Sequence, residues 1–140
     1  MTPDEPRQKL METLGKVGCY FLSIVHLAEQ VTLERIDAVE AFLFGIDQGF
    51  VRRDCFVERP APIIDELTGV HWGMKKTTAD YIPGPGELEV LRFERQEVGA
   101  LIGHFVVGDG HGRVAWDPYG DSKTVREGSL VSKRVFYRLA

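Results

Sequence analysis

Gly18-Cys19-Tyr20-Phe21-Leu22-Ser23-Ile24-Val25-His26-Leu27-Ala28-Glu29 decides how the rest of the chain is read. Tyr20, Phe21, Leu22, Ile24, Val25, Leu27 and Ala28 are spread around the whole turn of a 3.6-residue helix, the pattern of a helix buried in the body of a domain. The polar exceptions Cys19, Ser23, His26 and Gln30 follow i, i+4, i+7, i+11 spacing and form one narrow stripe. Gly18 suits the N-cap, which leaves Cys19 in the first helical turn. There the unpaired amides and the positive end of the helix dipole favour a thiolate over a thiol. Taken alone, Cys19 has a simpler reading as a small buried hydrophobe, the commonest state of a free cysteine. A second stretch far down the chain changes that balance.

Length and composition restrict the possibilities first. The 140 residues suffice for one substantial core and not comfortably for two, so a single domain over residues 1–140 is expected. With 44% hydrophobic and 27% charged residues, the composition is that of an ordinary globular protein. The net charge of −4 counts against a nucleic-acid partner, whose capture relies on bulk positive charge. No segment approaches the ~18 to 20 apolar residues needed to cross a bilayer. The start, Met1-Thr2-Pro3-Asp4-Glu5-Pro6-Arg7-Gln8, lacks the basic-then-apolar layout of a secretory signal, so a cytoplasmic protein without a membrane span is expected. Cys19 and Cys55 are the two cysteines, and a lone disulfide is the less favoured state for such a chain. There is no CxxC or HExxH, and His26, His71, His104 and His111 lack ligand spacing, so no metal is expected.

The first half of the chain is predicted to be helical. Residues 7–14 suit a short leading helix or an extended arm, with Gly15 to Gly18 as a turn into the cysteine helix. Thr32 is expected to cap a second helix from Leu33 to about Asp47, with Ile36, Val39, Leu43 and Ile46 as its inner face and Gly49 as its stop. Val51 to Val57 is short and irregular, with Phe56 and Val57 as expected anchors. Pro60 or Pro62 opens a third helix that runs through Leu67 and ends at Gly69. Beyond Gly69 the pattern changes to strands over Val70–Thr77, Leu88–Arg95, Ile102–Val107, Val114–Asp117 and Val135–Leu139. The tandem Pro83-Gly84-Pro85-Gly86 is a rigid surface turn between two of them. Helices followed by strands indicate an α+β fold, helical over 1–69 and a mostly antiparallel sheet over 70–140.

Gly103-His104-Phe105-Val106-Val107-Gly108-Asp109-Gly110-His111-Gly112-Arg113-Val114-Ala115-Trp116-Asp117-Pro118 has the form of a hairpin. A two-residue Gly110-His111 loop suits a type II′ turn. In that register Asp109 faces Gly112, Val107 faces Val114 and His104 faces Asp117, with Cβ atoms ~4.5 to 5.5 Å apart on one face. The carboxylate then holds the imidazole in one tautomer and leaves its other nitrogen free as a base. A one-residue slip would separate the two groups to opposite faces. Taken alone, His104 also suits a strand histidine bonded to a backbone carbonyl, and Asp117-Pro118 a simple turn. The combination of Cys19 at a helix start with a His104–Asp117 pair is the pattern of thiol acyl transfer.

The order Gly18-Cys19-Tyr20-Phe21-Leu22, Gly103-His104-Phe105-Val106-Val107 and Val114-Ala115-Trp116-Asp117-Pro118 resembles the papain-like cysteine peptidases. The branch it is most similar to is the bacteriocin-processing (double-glycine leader) peptidases and the small phage- and plasmid-borne proteins related to them. The likeness covers residues 14–118 and includes the helical-lobe segment from Ile46 to Val57 with Thr68-Gly69 after it. It implies a papain-like α+β fold, no cofactor, and a peptide or protein substrate. Cys19 would be the nucleophile, His104 the general base and then acid, and Asp117 the residue that orients His104. The family also places a glutamine about six residues before the cysteine as an oxyanion donor. Here that position holds Thr13, and the nearest upstream glutamine is Gln8, which could reach only if residues 11–17 fold back. The resemblance therefore admits three functions: a peptidase, a catalytically silent peptide- or partner-binding relative, and a cell-wall peptide amidase or endopeptidase.

Other residues carry weaker expectations. His26 lies two turns beyond Cys19, roughly 10 Å along the axis, too far to serve as its base. His111 belongs at an exposed hairpin tip, and Cys55 is expected to be structural. Trp116 should point to the face opposite Asp117. Trp72 and Tyr119 are candidates for lining a cleft.

Overall fold

A computed structural model of the chain describes residues 5–139. The first helix, α1 (Glu5–Val17), runs almost without interruption into α2 (Cys19–Thr32). Only Gly18 separates them, and its amide still donates to the Leu14 carbonyl at 2.9 Å. A Cβ on Gly18 would stand 2.6 Å from the Leu14 carbonyl oxygen, so this junction accepts no side chain. The turn expected over Gly15–Gly18 is thus a helical junction one residue long, and the leading segment is helix rather than arm. Cys19 nonetheless begins its own helix, as its sequence position suggests. Phe21, Ser23, Ile24, Val25, Leu27 and Ala28 of α2 are all buried, which accounts for the apolar residues on every side.

Thr32 ends α2 instead of capping the next helix, and its hydroxyl donates back to the Ala28 carbonyl at 2.9 Å. The following helix, α3 (Ala38–Gln48), starts later, because Asp37 is the stronger cap: its carboxylate accepts from the Val39 and Glu40 amides. The inner face is also rotated from the expected one. Val39, Phe42 and Gly45 are buried while Leu43 is 47% exposed. Gly45 lets Val51 sit directly on the helix, and Phe42 meets Phe21 edge-on at 5.4 Å between ring centroids. Gly49 ends α3 in the left-handed conformation that favours glycine. In the irregular segment after it, Val51 and Cys55 are buried and Phe56 is 56% exposed, so Cys55 takes the anchoring role expected of Phe56. Helix α4 (Pro60–Thr68) opens on proline and closes at Gly69.

The remaining chain forms one five-stranded antiparallel sheet in the order β1-β5-β2-β3-β4. Its strands are β1 (Trp72–Thr78), β2 (Leu88–Glu97), β3 (Ala100–Gly108), β4 (Val114–Trp116) and β5 (Ser129–Arg138). A short helix, α5 (Lys123–Glu127), precedes β5 and was not evident from the sequence pattern. The last strand inserts between β1 and β2 and starts six residues earlier than the expected Val135. Lys133 obscured it. This lysine is 2% exposed in mid-strand, paired with the fully buried Glu89 at 2.8 Å. The sheet packs Trp72, Val90, Val107 and Phe136 against Phe21, Ile24, Phe42 and Ile64 of the helices. No helix among the described residues is long and apolar enough to cross a membrane.

Glu89 also shapes the β3–β4 hairpin. Its second oxygen accepts from the Gly110 and Gly112 amides at 2.8 and 3.1 Å, while Asp109 accepts from His111 and Arg113. The tip is therefore wrapped on a carboxylate, and the two-residue turn expected from Gly110-His111 is replaced by a wider loop closed by Asp109 N–H to Arg113 O. Val107 faces Trp116 instead of Val114, a slip of two residues. Because side chains alternate with period two, an even slip preserves the face. His104 and Asp117 stay on one side of the hairpin for that reason.

Breaking a buried ion pair on one side leaves an uncompensated charge, at a typical cost of about 3–5 kcal/mol. Glu89→Ala should accordingly lower the urea midpoint strongly, and the double replacement Glu89→Leu with Lys133→Met should be less destabilised than Glu89→Ala alone. Equal loss in the single and double variants would show that the stranded Lys133 charge is not what costs stability.

Candidate active site

Cys19 occupies the first turn of α2, where helix amides have no internal acceptor. Strand β4 stops at Trp116 and leaves the edge of β3 before Val107 without a partner strand. Phe105 on that strand and Tyr20 both bring a backbone amide close enough to the Cys19 sulfur to favour its charged form. His104 lies close enough to the sulfur that the two groups favour each other's charged forms. His104 is 3% exposed and its Nε2 stands 2.8 Å from Asp117 Oδ1, itself nearly buried. That contact leaves Nδ1 as the ring nitrogen for the thiol. The three side chains singled out in the sequence thus converge, although they come from a helix, a strand and the turn after a strand.

The electrostatics favour an ion pair. Burial pushes the Cys19 thiol up, but the His104 hydrogen bond, the Phe105 amide, the imidazolium charge and the Tyr20 amide together outweigh it, and the thiol lies below its ordinary range. Burial likewise disfavours a charged His104, yet hydrogen bonds to Cys19 and Asp117 and their negative charges raise it above the ordinary imidazole value. Both shifts favour thiolate with imidazolium, the reactive form of a sulfur nucleophile.

Tyr119 completes the cluster. Its ring stacks on His104 with centroids 4.5 Å apart and planes at 23°. Its amide donates to Asp117 Oδ1 at 2.8 Å, so the residue locks both members of the pair. The phenol hydroxyl donates to the Lys16 carbonyl at 2.7 Å and lies within hydrogen-bonding reach of the Cys19 sulfur. Burial and the nearby sulfur charge both hold this phenol protonated. Tyr119 thus stands beside the Cys19 sulfur, a more specific place than the cleft-lining position expected for it. The signal was the Asp117-Pro118-Tyr119-Gly120 turn, which returns the ring over the histidine.

The other expected residues lie elsewhere. Gln8 is exposed on α1, and residues 11–17, which had to fold back for it to reach, are helix. At ~1.5 Å per residue, Gln8 sits roughly 14 Å along the axis before Val17. Trp72 is 3% exposed in the core, bonded through Nε1 to Thr68 Oγ1. His26 stacks flat on Trp116 at 4.1 Å. His111 is exposed at the hairpin tip. Cys55 is a free, buried thiol pushed up to about 11 by burial and by its neighbours Asp54 and Cys19. Among the described residues, no group of three or more histidine, cysteine, aspartate or glutamate side chains is arranged to hold a metal ion.

A cleft of about 630 Å³ opens from Cys19 between the segment around Cys55 and the sheet. Tyr20, Phe105, Arg92 and Arg134 form its sheet side, and Asp54 and Glu58 lie on the facing side. Arg92 and Arg134 carry no signal in the sequence, since charged residues recur along both of their strands.

The fold and the site define the class: an α+β protein in which a cysteine at a helix N-terminus meets a histidine–aspartate pair on an antiparallel sheet. The chain belongs to the family described as "Protein of unknown function, DUF261", whose model matches residues 1–138. No curated protein and no solved structure matches it.

The two thiols should titrate apart. Alkylation by iodoacetamide, followed by mass spectrometry of each cysteine peptide, should give a pH profile for Cys19 that inflects below the ordinary thiol range and one for Cys55 near 11. His104→Ala should move the Cys19 inflection upward, since the imidazolium charge and its hydrogen bond are lost. Coincident profiles for the two cysteines would remove the ion pair from the account.

Proposed function

We propose that this DUF261 chain is a thiol hydrolase of papain-like fold that cleaves peptide bonds. One observation carries the reading: the Cys19 sulfur, in the first turn of a helix, lies beside a histidine whose Nε2 is held at 2.8 Å by a buried aspartate, and the histidine favours the sulfur's charged form. The Cys19 thiolate attacks the peptide carbonyl and forms a carbon–sulfur bond. The carbonyl electrons move to oxygen, and the His104 imidazolium gives its proton to the departing amine as the carbon–nitrogen bond breaks. His104, now neutral, takes a proton from water, and the hydroxide so formed releases the acyl group and regenerates the thiol pair.

The oxyanion needs donors placed before it forms. The Tyr119 hydroxyl lies beside the sulfur and takes the role that a glutamine fills in the peptidases this chain resembles. In the resting protein the hydroxyl donates to the Lys16 carbonyl, and the role requires it to turn to the oxyanion as that forms. A Tyr119 donor would stand in for the distant Gln8, on which the silent-relative reading leans.

Incubation with a proteome-derived peptide mixture should generate new peptide termini with the wild-type chain and none with Cys19→Ala. A wild-type digest indistinguishable from that of Cys19→Ala would contradict hydrolysis. Asp117→Asn keeps an oxygen acceptor for the Nε2–H of His104 and should retain activity within about tenfold, whereas Asp117→Ala should not. Tyr119→Phe should lower turnover by on the order of 10²–10³, the usual effect of one lost oxyanion donor, while iodoacetamide still alkylates Cys19 at close to the wild-type rate. A proportional loss of both would make Tyr119 a packing residue only.

A further inference from the structure

We propose that the cleft beside Cys19 contains a carboxylate-binding subsite centred on Arg134, with Arg92 and Tyr20 next to it. Resting on the hydrolase reading, it assigns the substrate as a peptide that carries an acidic side chain or a free C-terminal carboxylate beside the scissile bond.

The sheet register assembles the site. Arg134 pairs with Val90 and Arg92 pairs with Phe105, so strand alternation puts both guanidiniums on the face that carries Phe105. They lie over the Phe105 ring at 4.9 and 5.4 Å, and Tyr20 stacks on the same ring at 4.4 Å. Tyr20 directly follows Cys19, so the site starts one residue from the sulfur. Gly103 has no side chain to push Arg92 out, since a Cβ there would collide with the guanidinium.

The hydrogen-bond inventory of this wall consists of donors in excess of acceptors. Arg92 Nε is paired with Glu94 at 2.9 Å, which leaves its terminal nitrogens. Arg134 donates through one terminal nitrogen to Ser132 Oγ and the Lys133 carbonyl, and it makes no salt bridge among the described residues. The Tyr20 hydroxyl is buried without any partner among them. The acidic groups across the cleft are engaged elsewhere: Asp54 accepts from the Phe56 amide and Glu58 pairs with Arg52. Two neighbouring guanidiniums and an unpaired phenol, half buried, are costly to hold as packing alone. A planar carboxylate matches the guanidinium fork and supplies the missing acceptors. Burial and the like charge of Arg92 hold Arg134 below the usual guanidinium range despite the nearby Glu94 carboxylate.

Three alkylating probes separate the possibilities without knowledge of the natural substrate. N-Bromoacetyl-glutamate amide carries a side-chain carboxylate, N-bromoacetyl-glutamine a terminal one, and N-bromoacetyl-glutamine amide neither. At least one carboxylate probe should label Cys19 about tenfold or more faster than the neutral probe, and the faster of the two identifies the source. Arg134→Gln should abolish that preference while the iodoacetamide rate at Cys19 stays within about twofold, and Arg134→Lys should restore part of it. Arg92→Gln, at a less demanding position, should weaken the preference and covers the case in which Arg134→Gln fails to fold. Equal labelling by all three probes, or a preference that survives in both glutamine variants, overturns the subsite. The probe ratio does not depend on thiol reactivity, so a sluggish Cys19 would sink the hydrolase reading and leave this one decided on its own terms.

Discussion

The approach of the first turn of α2 to the open edge of β3 is the contact on which the rest of this structure depends. A helix start offers amides without acceptors, and a strand edge offers an amide without a partner. Here both kinds of amide converge on one sulfur. Gly18 allows the approach, because any side chain there would press on the Leu14 carbonyl. The shortness of β4 allows it too, since a longer strand would occupy the edge that Cys19 uses. A buried carboxylate, Glu89, folds the hairpin tip so that the chain leaves β4 in the direction that delivers Asp117 and then Tyr119 to His104. Stability and chemistry are thereby linked: the ion pair under the sheet positions a hydrogen bond at its edge.

The readable parts of the sequence were those in which local chemistry and global packing agree. The cysteine helix, the glycine stops at Gly49 and Gly69, and the proline-opened α4 follow from short-range rules and occur where expected. The misplaced cap at Thr32 shows the limit. Thr32 and Asp37 are both acceptable caps, and the choice fell to Asp37, which bonds two amides. The rotated face of α3 was hidden because Gly45 carries no hydrophobic signal, yet its lack of a side chain is what admits Val51. The first half of strand β5 carries no strand signal because a lysine normally marks solvent, and only the distant Glu89 reveals why Lys133 can be buried.

The candidate site was legible for a less direct reason. The turn assigned to Gly110-His111 was too tight, and the register differed by two residues. The pairing of His104 with Asp117 survived because the error was even. Tyr119 and the two arginines were less accessible, since each acts through a neighbour far away in sequence: Tyr119 through His104 and Lys16, Arg92 and Arg134 through Phe105. For a family without an assigned function, these contacts convert a sequence signature into a chemical proposal with named roles.

Nuclear magnetic resonance titration of the chain labelled at the Cys19 β-carbon and the His104 ring addresses the central contact most directly. The account predicts coupled behaviour. The cysteine signal should step below the ordinary thiol range and the histidine signal above the ordinary imidazole range, each shifting back when the other residue is replaced by alanine. Two independent titrations at ordinary values, neither altered by loss of the partner, would contradict it.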